Sequence, residues 1–285
     1  MIKSVKVRYI FSKIEINLII NFILLFMFTQ CSKNDLSTDN FEEVERVQEE
    51  NQNNSEKKVF NFEKIACDRG FANEFPCKEY DLLNWIPLSF FDSESANDNW
   101  GWTDSKSKRE FVLQGLNDGL AFLDITDPQK VIYLGKLLSA TDPSDWRDVK
   151  IYNDHAFIVS EASNHGLQVF DLNNLLESDE FKTFSEDYIA NDFGNAHNIA
   201  INTSSGFAYV LGSALYKGGP VFYDISIPKQ PIFSGGFSDT SYIHDAQIIT
   251  YKGEDQNYFE KEILFGSNSD GGETNQLIIL DVTEK

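Results

Sequence analysis

The chain has 285 residues, enough for one large domain or two ordinary ones. Apolar residues make up 41% and aromatics 14%, so a sizeable core is available, and 24 Phe with 11 Tyr favour strands over helices. A formal net charge of −21 sets the surface against phosphate backbones and anionic headgroups; it argues against nucleic acid and leaves cations, basic proteins and neutral glycans as partners.

Residues 1–31 stand apart. Lys3, Lys6, Arg8 and Lys13 form a basic start, and Ile16 to Phe28 is apolar except for Asn17 and Asn21. The run falls short of the roughly 20 apolar residues of a membrane span and suits the hydrophobic region of an export signal. It ends at Thr29-Gln30-Cys31-Ser32, and a cysteine directly after such a run resembles the lipobox of bacterial lipoproteins, in a loose form because Phe28, Thr29 and Gln30 replace the usual leucine and small residues. The expectation is a lipoprotein signal peptide over 1–31 with Cys31 as the lipidated anchor. A cleaved secretory signal or an uncleaved N-terminal anchor are the alternatives, and each exports the protein. Localisation at the cell envelope follows, lipid-anchored to the outer membrane or cell surface.

Residues 32–58 are rich in Asn, Glu, Gln and Ser and too poor in apolar positions to offset their ordering entropy, so they read as a disordered tether. Phe41–Glu50 could form transient helix. Cys67 and Cys77 flank a stretch containing Gly and Pro, and in an exported chain they are expected to form a disulfide worth roughly 2–3 kcal/mol.

The remainder, 59–285, repeats itself. GLAFLDITDP (119–128), GLQVFDLNN (166–174), GPVFYDISIP (219–228) and QLIILDVTEK (276–285) are apolar strands closed by Asp124, Asp171, Asp224 and Asp281. An apolar strand precedes each: FVLQGL, AFIVSEA, FAYVLGSA and ILFGSNS. Before those lie NWGWTD (99–104), WRDVKIY (146–152), AHNIAIN (196–202) and IHDAQIITY (243–251). A weaker fourth strand, VIYLGKL, FKTFSED or PIFSGGF, follows three of them. Four strands per repeat of roughly 50 residues, with turns rich in Gly, Asp, Asn and Pro, is the blade unit of a β-propeller. The fold class expected is therefore all-β, a propeller with blades near 97–138, 145–188, 195–238 and 242–285. The fourth blade lacks an outer strand within the sequence. Either 60–95 supplies it or further blades follow in a longer protein, and the second is the expectation.

DNWGWTD, GLAFLDITDP, SDWRDVKIYNDHAFIVSEASNHGLQVFDL, AHNIAIN and IHDAQIITYKGEDQNYFEKEI resemble the choice-of-anchor B family, exported bacterial propellers related to LVIVD-repeat proteins. The resemblance covers roughly 64–285. It implies a propeller, an exported address and further blades, and carries no established activity or catalytic residue set.

Aligned first strands give a polar column: Arg147-Asp148, His197-Asn198 and His244-Asp245. In a propeller these pairs would meet near the axis, either bonding one blade to the next or forming a ligand site at the channel mouth. His197, His244 and Asp245 could hold a transition metal, and an all-oxygen set would suit calcium. A divalent cation is thus the one cofactor suggested. His155 and His165 read as solvated or capping turn residues. Trp100, Trp102 and Trp146 read as wedges between blades, with sugar stacking as the alternative. The runs 253–257 and 268–273 offer oxygen ligands in Gly-containing turns without the spacing of an EF-hand. The four repeated aspartates read as acceptors that close turns. No nucleophile elbow, P-loop, HExxH or dinucleotide fingerprint occurs. The functional expectation is a surface binding module for a protein or glycan, with a metal-dependent hydrolase or lyase as the alternative.

Overall fold

The computed structural model describes residues 57–177, 180–268 and 275–285. The export segment, Cys31, residues 32–56 of the tether and most of the run 268–273 lie outside the described residues. Among those described, no helix is long and apolar enough to cross a membrane. Over the described residues the protein is all-β: its strands form several antiparallel sheets, and the helical turns are short 3₁₀ turns.

Sheet 1 is built on β4 (Ala96–Thr103), β5 (Glu110–Leu116), β6 (Gly119–Asp124) and β7 (Lys130–Leu138), paired in that order. Sheet 2 holds β8 (Arg147–Tyr152), β9 (His155–Ser160), β10 (Leu167–Asp171) and β12 (Tyr188–Ala190). Sheet 3 holds β13 (Asn198–Asn202), β14 (Phe207–Leu211), β15 (Val221–Asp224) and β16 (Ile232–Gly236). Sheet 4 is three-stranded, β17 (Ile243–Thr250), β18 (Glu262–Asn268) and β19 (Gln276–Asp281). A two-residue hairpin, β2 (Phe71–Ala72) and β3 (Phe75–Pro76), sits inside the loop closed by the Cys67–Cys77 disulfide, whose Cα atoms are 5.9 Å apart as the bond requires.

Strand alternation sends successive side chains to opposite faces, and here both faces are apolar. On β6, Leu120 and Phe122 join the core shared with sheet 2, while Ala121 and Leu123 pack under Phe91 and its neighbours. On β9, Ala156 and Ile158 face sheet 1, and Phe157 and Val159 face sheet 3. On β14, Ala208 and Val210 face sheet 2, and Tyr209 and Leu211 face sheet 4. The sheets therefore stack in chain order, each core shared by two neighbours. Phe122 lies 4.8 Å from Phe170 across the first of these cores, with Phe184 set edge-on to both. Each such side chain gains roughly 2–3 kcal/mol on leaving water.

Two expected strands change partners. The FKTFSED segment was expected to finish blade two. Its strand, β11 (Lys182–Phe184), instead pairs in parallel with Gly135–Leu137 of β7, and β12 closes sheet 2. Gly135 makes this approach possible: its φ is +144°, and a Cβ there would collide with the Lys182 carbonyl oxygen. The piece 60–95 was weighed as a closing strand for the fourth blade. The strand β1 (Lys58–Asn61), which takes in Lys58 of the expected tether and only the first two residues of that piece, pairs instead with Lys130–Tyr133 of β7, covering the rest of that edge in sheet 1.

Candidate functional site

The first strands β4, β8, β13 and β17 lie side by side in that order. Where they meet, the side chain of one bonds the backbone of the next. The Val149 N–H donates to Asp98 Oδ2 at 3.3 Å, and the Ile199 N–H donates to Asp148 Oδ2 at 2.8 Å. Lys150 bridges the two carboxylates, at 3.2 Å from Asp98 and 2.6 Å from Asp148, and its ammonium sits over the Trp100 ring. Burial, together with the hydrogen bond to Asp98, pushes Asp148 up to about 7 against the pull of Lys150. Burial also works to raise Asp98, but its bonds to Asp148, Lys150 and Val149 outweigh this and hold it below the ordinary carboxylate value. The ladder stops one step later. Asn198 Oδ1 is buried without a partner, and the Ala246 N–H turns to Asp245 of its own strand, at a bulge in the β17–β18 register.

Arg147 and Asp148, expected either to bond one blade to the next or to form a ligand site at a channel mouth, are interior and do the first. Arg147 is 1% exposed. Its guanidinium donates to the Leu116 carbonyl (3.0 Å), the Asn117 carbonyl (3.4 Å), Ser139 Oγ (2.8 Å) and His165 Nε2 (2.9 Å). It thus ties the β5–β6 turn of sheet 1 to the turn after β9, and its buried charge lowers its own pKa to about 10. His165 corrects a second expectation, since it is 0% exposed rather than solvated. Its Nδ1 lies 3.0 Å from the Gly166 carbonyl, so that nitrogen carries the proton and Nε2 accepts from Arg147. Burial, then the Arg147 charge, lowers the ring to about 4. His155 sits at the start of β9 against the Asn153 carbonyl and Asp171.

His197 and His244, in contrast, do come together, with ring centroids 4.1 Å apart. Sheet 2 adds Trp146, just before β8, and Glu161, just after β9. His197 Nδ1 lies 2.6 Å from Glu161 Oε1, and the His197 ring is 5.8 Å from the Trp146 ring. Sheet 4 adds Tyr242, whose ring is 6.2 Å from His197 and 6.5 Å from His244. Burial, then the Glu161 charge, raises the Tyr242 hydroxyl to about 12. Gly212 makes room beneath: at φ +69° a Cβ there would stand 2.7 Å from Tyr242 Oη and 2.8 Å from the His197 Cβ. Trp146 is 51% exposed and Trp100 41%, so of the three tryptophans expected to wedge the sheets only Trp102 is interior. The result is a partly open cluster of four rings, drawn from three sheets, with one carboxylate bonded to its central histidine.

The proposed trio of His197, His244 and Asp245 does not assemble. Asp245 follows His244 on an extended strand and accepts from the Ala246 backbone, and among the described residues no group of three His, Cys, Asp or Glu is placed to hold a metal ion. In the run 253–257, Asp255 accepts from the backbone and side chain of Asn257 and so closes its own turn. The four repeated aspartates behave as expected. Asp124, Asp171, Asp224 and Asp281 each accept the backbone N–H two residues on, at 3.0, 3.0, 2.9 and 3.2 Å. A separate cleft of about 400 Å³ on the far face of sheet 1, lined by Leu83, Ile86, Val112, Leu123 and Val131 among others, is remote from the ring cluster in the stack.

The sequence column missed Asp98, Lys150, Glu161 and Tyr242. Asn97-Asp98 stands fifty residues before Arg147-Asp148 and could have been found by extending the column one repeat back. Glu161 lies past the end of a second strand, where no repeat marks it. No family model matches the chain, and no curated protein matches its sequence.

Proposed function

We propose that this protein is an exported, lipid-anchored β-propeller of the choice-of-anchor B type, and that it serves as a binding module at the cell envelope. Consecutive face-to-face stacking of the sheets, with their first strands adjoining, supports the fanned arrangement of a propeller. The observation that carries the binding reading is the convergence of Trp146, Glu161, His197, Tyr242 and His244 from three sheets onto one partly open spot. Such a spot, aromatic with a few convergent polar groups, is suited to recognition.

Two measurements test this. A Cys31→Ala variant is expected to leave the membrane fraction for the soluble one; a variant that still sediments with membranes removes the lipid anchor. A His197→Ala/His244→Ala double variant is expected to keep its unfolding midpoint while losing retention on envelope material that holds the parent. Loss of the folded state instead assigns the ring cluster to architecture.

A further inference from the structure

We infer that the ring cluster is a site for a small organic cation, an ammonium or methylated ammonium group; the inference rests on the recognition face proposed above. Three observations point to positive charge. The chain carries −21, so its field concentrates cations and repels anions. Glu161, with about a third of its side chain exposed, stands among the rings and is felt by Tyr242 as well as bonded to His197. The rings of Trp146 and Tyr242 offer π faces, which attract a cation lying within about 6 Å of a ring centroid.

Size favours a single group over a protein surface. His197 is 4.1 Å from His244, 5.8 Å from Trp146 and 6.2 Å from Tyr242, and each of these pairs is tilted by 49° to 55° rather than stacked. All three centroids lie within 6.2 Å of His197, so the patch is far smaller than the roughly 800 Å² per partner of a stable protein interface. The Nδ1–H of His197 donates to Glu161, which holds the carboxylate in place while leaving it partly open.

The test uses choline and its uncharged carbon isostere, 3,3-dimethylbutan-1-ol, followed by NMR shifts and tryptophan fluorescence on the full chain. Choline is expected to bind and the isostere to bind at least about tenfold more weakly, as a cation–π and carboxylate site requires. Glu161→Gln is expected to lose about tenfold in choline affinity, as is Trp146→Ala, with both variants retaining the parent unfolding midpoint. Equal binding of the two compounds, or unchanged affinity in Glu161→Gln, overturns the cation assignment while leaving a recognition face for neutral ligands. Absence of binding by either compound also overturns it, and leaves the wider reading to the histidine double variant alone.

Discussion

Buried charge at single residues sets how this protein answers pH. His165 is lowered to about 4, so its neutral ring is favoured in the fold. The stability tied to it is complete above the ordinary imidazole value of about 6.5 and is lost as pH falls toward about 4, an effect of the order of 3 kcal/mol. Asp148 works in the opposite sense. Raised to about 7, it gives stability that is full below the ordinary carboxylate value and lost as pH climbs toward 7. Between about pH 4 and 6.5 the two slopes oppose each other. We expect Asp148→Asn to unmask the histidine: its urea midpoint should fall more steeply on acidification than that of the parent, and equal slopes would show that Asp148 is not titrating there. Arg147 depends on the same neutral ring. Arg147→Met takes the guanidinium away from the Leu116 carbonyl, Ser139 Oγ and His165 Nε2, while the Asn117 carbonyl keeps the Ser144 N–H, and it should cost about 3 kcal/mol in urea unfolding. Arg147 was legible in the polar column, as a residue that bonds one sheet to the next, whereas His165 was not, because a histidine in a turn is ordinarily solvated.

Strands were easier to read than their partners. The recurrence of an apolar run closed by aspartate located β6, β10, β15 and β19, because an Asx turn needs that residue at that place. Partner choice is decided elsewhere. Lys182–Phe184 has the composition of an ordinary fourth strand, yet it joins sheet 1 because Gly135 leaves β7 open to a close approach. Nothing within the strand itself records that glycine. Gly135→Val should therefore expel β11: faster amide exchange is expected at residues 182–184, with β5 and β6 unchanged. Unaltered exchange at 182–184 would mean that Phe184, packed against Phe122 and Phe170, holds the strand without the backbone pairing. The ring cluster divides in the same way. His197 and His244 repeat in register and were found, whereas Glu161 enters from the end of a neighbouring strand and follows no period.

Across the whole molecule, each sheet is stabilised chiefly by the neighbours on its two faces, so cohesion is a sum of interfaces along the stack. The interface between sheets 3 and 4 rests on Tyr209, Leu211 and Phe222 against Ile243, Ile248, Leu264 and Leu280. A polar tie joins the same sheets: Glu262 of β18 accepts from Asn202 and Ser205 of sheet 3 and pairs with Lys285. Phe222 is 0% exposed, and its replacement by Ala should cost about 3–5 kcal/mol. In a fold with one shared core that loss would be felt everywhere. In a stack it falls mainly on the interface between sheets 3 and 4, because among the described residues the core between sheets 1 and 2 contains no side chain from sheets 3 or 4. We therefore expect Phe222→Ala to speed hydrogen exchange across β17, β18 and β19 while Leu113, Phe122 and Ile158 keep the protection of the parent. Uniform loss of protection would mean that the sheets unfold as one unit and that stacking does not partition the stability. The retained half would also keep Arg147 and His165 in place, whereas the cation site, which draws Tyr242 and His244 from sheet 4, should weaken with the sheet that carries them.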